Sequence, residues 1–460
     1  MQNAEPYRAE VPEAPPPGVT GDACPGALRL HPADDGALAR VRIPGGVLTP
    51  AQAEHLSAAA AHLGDGDLHL TSRGNLQLRG LGEDCGAALA TVLTEVGLLP
   101  SVAHERVRNI VASPLSGLDG HGHRPVGPWL RELDALLCAS PRTPALSGRF
   151  LFAVDDGRGD MAALEPDITL IADEPGSGTA TVHLGDVATL TVSASEAPRT
   201  ALHAAEAFLA AASAAHATGA DRVWRIAELP GGPEAVHALA TDTARRTGTA
   251  PRTGTARHTN TTRQTGTTPR TGTASPTPTT STPTPGEPPT PGEPPLPGAL
   301  PGGVSVLVPL GRITPTQWTA LRELADRTGG ELRLTPWRGV IVPGATGADL
   351  PDLAATGLVT APGSPWDGVT ACVGHPGCAK SLADVRADAA AARRTVRGLP
   401  VHWSGCARRC GRPRGERVDV VATTTGYEVS TVRGSGPAHP TSVTGTATLA
   451  TTVAAARTAP

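Results

Sequence analysis

Aromatic residues make up only 2% of this 460-residue chain: six tryptophans, two tyrosines and three phenylalanines. Its cores must therefore be packed from leucine, valine and alanine, which the 39% apolar content can supply. Lysine is scarcer still, with Lys380 the single example among 39 basic residues. Cationic recognition thus falls to guanidinium groups, planar forks suited to carboxylates. There is no excess of positive charge. A net charge of −4 argues against a general nucleic-acid binder, whose footprint is basic. No run of about eighteen apolar residues exists, so no membrane span is expected. The opening stretch "MQNAEPYRAEVPEAPPPG" has neither the basic nor the apolar segment of a secretory leader. These absences predict a cytoplasmic protein, a compartment in which clustered cysteines mean metal or catalysis. Seven cysteines, an odd number, also make a poor disulfide framework; Cys24, Cys85 and Cys138 stand alone and read as ordinary thiols.

From 241 to 303 the chain changes character. Arg-Thr-Gly-Thr-Ala recurs at 246, 252 and 270, and Pro-Gly-Glu-Pro-Pro occurs twice. Nothing there has a buriable face to offset the entropy of ordering, which predicts a disordered tether. The segments flanking it resemble each other. "RIPGGVLTPAQAEHLSAAAAHLGDGDLHLTSRGNLQLRG" precedes it and "LVPLGRITPTQWTALRELADRTGGELRLTPWRGVIVPG" follows. In each, Thr-Pro-x-Gln starts a helix, with Thr49 or Thr314 as N-cap and proline at the first helical position. "DLHLT" and "ELRLT" alternate as strands do. The chain is an internal duplication, and an α+β fold built twice is expected, with its site between the halves.

Four cysteines lie within 39 residues, as Cys372-x5-Cys378 and Cys406-x3-Cys410. Zinc sites mostly space each pair by two to four residues, which the first pair does not fit. Four thiolates in wider loops suit a [4Fe–4S] cluster, and iron–sulfur is favoured here over zinc. "AKSLADVRADAAAARRTV" is predicted to be a helix beginning directly after Cys378, its positive end lowering the thiol pKa values. Arg73, Asn75, Gln77 and Arg79 alternate with Gly74, Leu76 and Leu78, so they would share one strand face. A solvated outer face is the plain alternative; a ligand-binding face rich in fork-shaped donors fits a flat molecule bearing carboxylates. "CARRCGRPRGER" is basic enough for a phosphate patch, but its embedded cysteines and the acidic whole chain count against one.

With "TSRGNLQLRG" far upstream, the C-x5-C…C-x3-C pattern resembles that of the sulfite and nitrite reductases, which carry a [4Fe–4S] cluster beside a sirohaem. Within that superfamily, "LHLTSRGNLQLRGL", "LRLTPWRGVIVPG", "GHPGCAKSLADVRADA" and "VHWSGCARRCGRP" are most similar to the precorrin-3B synthases of aerobic cobalamin biosynthesis. The resemblance implies a nitrite/sulfite reductase-like fold of ferredoxin-like half-domains and cluster- or tetrapyrrole-binding domains. The expected division is a disordered tail over 1–22, a ferredoxin-like half-domain over 23–100 and a reductase-like domain over 101–240. The tether at 241–303, a second half-domain over 304–362, a [4Fe–4S] domain over 363–435 and a disordered tail over 436–460 complete it.

The resemblance makes Cys372, Cys378, Cys406 and Cys410 the cluster ligands, with Cys410 at the reductases' cluster-to-sirohaem bridging position. Arg73 and Gln77 match the reductases' tetrapyrrole-binding strand; Asn75 and Arg79 share its face. Arg108 and Asn109 match an Arg-Asn pair in which the arginine lines the anion pocket. Arg149 stands for the first lysine of a Lys-x-Lys stretch, and Leu151 for the second, a loss that disfavours reduction of a small anion. Arg338 is read as the repeat counterpart of Arg73. A second, mononuclear non-haem iron is implied as well, with His375, His402 and His439 as candidate ligands. The implied activity is an oxygen-dependent monooxygenase acting on precorrin-3A, supplied with electrons by an external reductant of NADH or ferredoxin type. A sirohaem-dependent sulfite or nitrite reductase is the main alternative, and a non-catalytic zinc protein the second. No catalytic residue is assigned.

Overall fold

In the computed structural model the described residues are 25–185, 188–246, 294–434 and 440–459. The expected N-terminal tail, Cys24, His439 and residues 247–293 of the tether lie outside them. The first copy opens with strands β1 (His31–Ala33), β2 (Gly36–Val41) and β3 (Val47–Leu48), helix α1 (Pro50–Leu63), β4 (Leu68–Leu70), β5 (Leu76–Leu81) and α2 (Gly86–Glu95). Its second domain runs β6 (Ile110–Ala112), α3 (Gly127–Ala139), β7 (Phe152–Asp155), β8 (Ile168–Ala172), β9 (Thr179–Leu184), β10 (Ala188–Ser193), α4 (Ala197–Ala217) and α5 (Gly232–Arg246). The second copy repeats the order. It comprises β11 (Gly298–Leu300), β12 (Gly303–Leu307), β13 (Arg312–Ile313), α6 (Pro315–Arg327), β14 (Leu332–Leu334), β15 (Gly339–Pro343) and α7 (Leu350–Ala355). Then come β16 (Val369–Ala371), α8 (Val385–Ala392), β17 (Val401–Ser404), β18 (Arg417–Thr423), β19 (Gly426–Val432), β20 (Thr441–Val443) and α9 (Thr446–Thr458).

Helices α1 and α6 start as their sequences predict. The Thr49 hydroxyl accepts from the Gln52 amide while the Gln52 side-chain oxygen accepts from the Thr49 amide, and Thr314 and Gln317 repeat the arrangement. The two half-domains are interlocked. One sheet has the order β1-β2-β5-β4-β13 and the other β11-β12-β15-β14-β3, so each takes its last strand from the other copy. Leu48, Leu56, Leu68, Leu76 and Leu78 of the first copy share a single core with Trp318, Leu321, Leu332, Val340 and Val342 of the second. Trp318 Nε1 donates across this seam to the Ala53 carbonyl at 2.7 Å. Gly46 marks how close the copies come. It sits at φ +72, and an added Cβ would lie 2.0 Å from the Leu334 carbonyl oxygen.

The second domains share one topology, β6–β10 and β16–β20. In each, two parallel pairings are followed by two antiparallel ones. All three phenylalanines lie in the first of these cores, Phe150 within about 5 Å of both Phe152 and Phe208. Among the described residues no helix is long and apolar enough to cross a membrane.

Three boundaries differ from expectation. The tether does not begin at 241: α5 continues to Arg246, its own Ala240 and Thr241 buried, and β11, from Gly298, already pairs with β12. The C-terminal segment is no tail. β20 hydrogen-bonds to β19, and α9 inserts Leu449, Ala450 and Val453 into the core, matching β10 and α4 of the first copy. Its threonine- and alanine-rich sequence has small side chains and little apolar contrast, so it carries almost no helical signature. Helix α8 does not follow Cys378 directly; it starts at Val385, capped by Asp384, and runs eight residues.

Candidate functional site

Strands β16 and β17 are parallel neighbours, and the loops leaving their carboxyl ends carry the cysteines. Cys372 follows β16, its N–H donating to the Trp403 carbonyl at 2.9 Å. Its Sγ accepts from the Gly405 amide at 3.2 Å. Cys378 lies beyond the turn through Gly374, which is held at φ +73. Cys406 and Cys410 occupy a tight turn, not a helix, closed by the Arg409 amide on the Cys406 carbonyl with Arg409 at φ +48. Cys372, Cys378 and Cys406 are half-buried and Cys410 is exposed. The four converge: burial first, then the negative charges of Cys372, Cys406 and Cys378, raises the Cys410 thiol pKa. Burial likewise raises that of Cys372, against the Gly405 and Gly374 amides and with the charges of Cys378 and Cys406. The expected lowering by a helix N-terminus is absent because α8 begins too late. Among the described residues no three of these sulfurs lie within 4.8 Å of one another. One tetrahedral zinc would hold them about 3.8 Å apart, from a Zn–S bond of about 2.3 Å.

The first half-domain turns a polar sheet face toward these loops. Its cross-strand row is Arg40, Gln77, His69 and Arg312, each directly opposite the next, and directly opposed residues share a face. Arg79, on the same face, binds Asp35 through two bonds of 2.8 Å and donates to the Gly377 carbonyl at 2.6 Å. It thereby ties the first copy to the Cys372–Cys378 loop. From α8, Arg386 donates to the Cys372 carbonyl and to His69 Nδ1, each at 3.3 Å. Burial and then the charges of Arg386, Arg79 and Arg312 hold His69 neutral, well below the usual imidazole range. Arg338 is 8% exposed and donates to the Gly411 carbonyl at 3.1 Å, one residue beyond Cys410. Burial lowers the pKa of both Arg338 and Arg386 to about 10, which leaves them charged at neutral pH.

The other candidates are placed differently. Asn75 and Asn109 are structural: Asn75 accepts from the Ile43 amide and donates to Asn109, which donates to the Phe150 carbonyl. Arg108 forms a two-bond pair with Asp134 and caps the Leu98 carbonyl, so its guanidinium is committed to the fold and not to an anion pocket. Arg73 lies half-buried in the turn before β5 and donates to the Gly148 and Arg149 carbonyls. Arg149 pairs with Glu228 at the surface. Leu151 packs with Val111, Ala153, Met161 and Trp337 in an apolar patch. Arg338 is not the counterpart of Arg73. The turns superpose Gly74, at φ +65, on Arg338, at φ +62, with Thr71 and Thr335 accepting equivalent backbone bonds. Trp337 therefore stands where the first copy has Arg73.

His69, Arg312 and Arg386 escaped sequence reasoning. Aligning the copies residue by residue would have exposed two of them, since His69 faces Arg333 in the alignment and Arg312 faces Val47. Among the second-iron candidates, His402 uses both ring nitrogens, on Thr370 and on the Cys410 carbonyl, and burial, then Arg338, lowers its pKa to about 3. His375 is exposed. Asp65, Asp67 and His69 bring their ligand atoms within 4.8 Å of one another. Yet Arg312 already holds Asp67, and Arg386 on Nδ1 of His69 fixes the ring proton on Nε2. That trio does not fit a metal ion.

The first copy's equivalent loops hold no cysteine. The Asp156 amide donates to Ser113 Oγ at 3.1 Å, where the Gly405 amide meets Cys372 Sγ in the second. Ser113 in turn donates to Asp160, and Arg158 pairs with Asp119 and Asp156, filling the space with a closed polar network.

Comparison with known proteins agrees with this architecture. The family described as "Nitrite/Sulfite reductase ferredoxin-like half domain" matches twice, over residues 31–95 and 303–356. A ferredoxin–nitrite reductase of Synechococcus elongatus is 33% identical over 123 residues, 24% of each chain. A precorrin-3B synthase of a Sinorhizobium species is 34% identical over 167 residues, 35% of this chain and 34% of that one. The matches thus span 20% to 34% of the length of the curated relatives. The solved NirA protein of Mycobacterium tuberculosis covers 90% of this chain and 79% of its own, with a TM-score of 0.66 at 17% identity, a likeness of fold. This chain therefore carries two copies of the nitrite/sulfite reductase ferredoxin-like half domain, in a fold like that of the NirA protein.

Proposed function

We propose that the chain is a precorrin-3B synthase-like monooxygenase with a [4Fe–4S] cluster on Cys372, Cys378, Cys406 and Cys410. The observation that carries this reading is the convergence of four thiols at the ends of two neighbouring strands, beneath an arginine-bearing sheet face. The donor set fits the group: thiolates at loop ends, backbone N–H groups aimed at Cys372 Sγ, and cationic side chains on both flanking loops. Bound there, a cluster would supply single electrons from an external reductant of NADH or ferredoxin type. In the reaction, one atom of dioxygen enters precorrin-3A as the C20 hydroxyl and a ring-A acetate closes a lactone onto C1. Two electrons and two protons carry the second oxygen atom to water. The chain's own contribution is positioning. Arg40 and Gln77 lie on the face that would meet a carboxylate-rich macrocycle, Arg312 is held on that face by Asp67, and Arg79 fixes the cysteine loop against it. The cellular location consistent with such chemistry is the cytoplasm.

A second reading, a sirohaem-dependent nitrite or sulfite reductase, is favoured by the likeness to nitrite reductases over the half-domains. Against it stands Leu151, in an apolar patch with Trp337 and Met161 where the reductase pattern has a lysine. A small anion reduced by several electrons needs cations and proton donors there. Iron and acid-labile sulfide determination with an optical spectrum on anaerobically purified protein separates the readings. The synthase reading expects about four iron and four sulfide per chain, a broad absorption and precorrin binding. An intense sirohaem band would establish the reductase, and colourless zinc protein would remove both. Cys406→Ala is expected to abolish iron incorporation while the fold persists by circular dichroism.

A further inference from the structure

Two guanidinium groups beside the cysteine loops, those of Arg338 and Arg386, lack a carboxylate partner among the described residues. Arg338 is almost wholly enclosed and Arg386 is half-buried. Among the described residues neither has an acidic partner within ion-pairing distance. Most arginines buried elsewhere face a carboxylate: Arg79 meets Asp35, Arg108 Asp134, Arg158 Asp119 and Asp156, Arg417 Asp419 and Arg457 the nearby charge of Asp367, while Arg42 donates to the Arg106 and Gly148 carbonyls. A buried charge without a partner is strongly unfavourable, so an unpaired one marks a missing anion. Each of the two donates to a backbone carbonyl in a cysteine loop, Arg386 to that of Cys372 and Arg338 to that of Gly411 beside Cys410.

Backbone geometry adds a second, independent observation. Arg338 occupies a left-handed conformation at φ +62, where the first copy has Gly74 at φ +65. Holding a side-chain-bearing residue there costs roughly 1 kcal/mol relative to glycine. The strain falls on the copy that has the cysteines, and it places a cation beside Cys410. A four-iron cubane with four thiolates carries two net negative charges in its oxidised form, the number that Arg338 and Arg386 together offset.

We propose that Arg338 and Arg386 are the counter-ions of the four-thiolate site and hold the reduction potential of its cluster high. This rests on the cluster reading above. They are positioning residues: they touch the ligand loops, and their positive charge favours the reduced cluster, which carries one more negative charge, over the oxidised one. The same cations near an anionic macrocycle would act on its binding; the test is therefore made without tetrapyrrole.

Full-length protein is reconstituted anaerobically as parent, Arg338→Gln, Arg386→Gln and the two Lys variants. Iron and sulfide are counted, and the cluster is titrated potentiometrically by electron paramagnetic resonance. Each Gln variant is expected to lower the equilibrium constant for one-electron reduction at least tenfold, a shift of 59 mV to negative potential. The Lys variants should stay within threefold of the parent. Loss of the cluster in the Gln variants alone would also support the assignment, since charge would then be required for assembly. Gln variants that retain full iron and sulfide and titrate with the parent overturn it. So do Lys variants that shift or fail as the Gln variants do, which would assign the effect to packing. Parent protein without iron and sulfide sinks the cluster reading itself, a result visible before any variant is made.

Discussion

Asp160 shows what a single residue can betray about a duplicated site. It is buried in the first copy's counterpart of the cysteine loops, and burial, then repulsion from Asp155, pushes its pKa up to about 7. The sign follows directly. A carboxyl whose folded pKa lies above its unfolded value of 3.8 stabilises the fold at acid pH, and that contribution is lost as pH rises toward 7. Asp160→Asn keeps the acceptor for Ser113 and removes the titration. It is expected to be more stable than the parent by about 2 kcal/mol at pH 7, the gap closing toward pH 4, as measured by urea denaturation at both pH values. Asp155–Asp160 reads in sequence as an acidic turn and nothing more. Its role is visible only when the Asp156 amide is seen on Ser113 Oγ, where the other copy has Cys372 Sγ. The four cysteines were legible because their chemistry is carried by residue type and spacing. The arginines were not. Arg79, Arg108 and Arg338 look alike in sequence, and only the carboxylates opposite Arg79 and Arg108 set those two apart from Arg338, which has none among the described residues.

At the scale of the element, the Thr-Pro-x-Gln starts of α1 and α6 were readable because capping boxes are local. Helix α9 was not, because its stability is tertiary. Among its described residues Leu449, Ala450 and Val453 supply the fully buried apolar contacts, and alanine and threonine fill most of the rest. Duplication itself was the missing clue: a first copy closing with β10 and α4 requires a partner for β19 and a cover for the second sheet. Truncation after residue 435 removes both. Leu449 and Val453 alone bury side chains worth about 1.5–3 kcal/mol each, and the edge of β19 loses its neighbour. The truncated chain is expected to lose cooperative unfolding of the cysteine domain and to take up no iron, read by thermal denaturation and metal analysis. A chain that stayed folded and loaded iron would restore the view of this segment as a tail.

The whole molecule is asymmetric where the duplication would make it symmetric. Two seams are possible, each between a half-domain sheet and the other copy's second domain. In one, the row Arg40, Gln77, His69, Arg312 faces the cysteine loops; in the other, the equivalent row is Ser305, Ile341, Arg333, Val47. Arg333 closes the second seam by donating to the Pro114 and Ser116 carbonyls. One copy has kept a polar, arginine-bearing face and the other has become a wall. Neither copy can do this alone. β13 is the edge of the first sheet and β3 of the second, while Trp318 and Leu56 belong to one core. Separating the copies exposes both edges and divides that core, so neither 25–246 nor 294–459 should fold by itself. Joining them, by contrast, does not depend on residues 247–293 making any of these contacts. Co-expressed as separate chains, the two segments are expected to co-purify as a one-to-one complex with the parent's iron content, while each expressed singly aggregates. A soluble, cooperatively folding 25–246 segment would show that the strand exchange is decoration, and that each half-domain carries its own sufficient core.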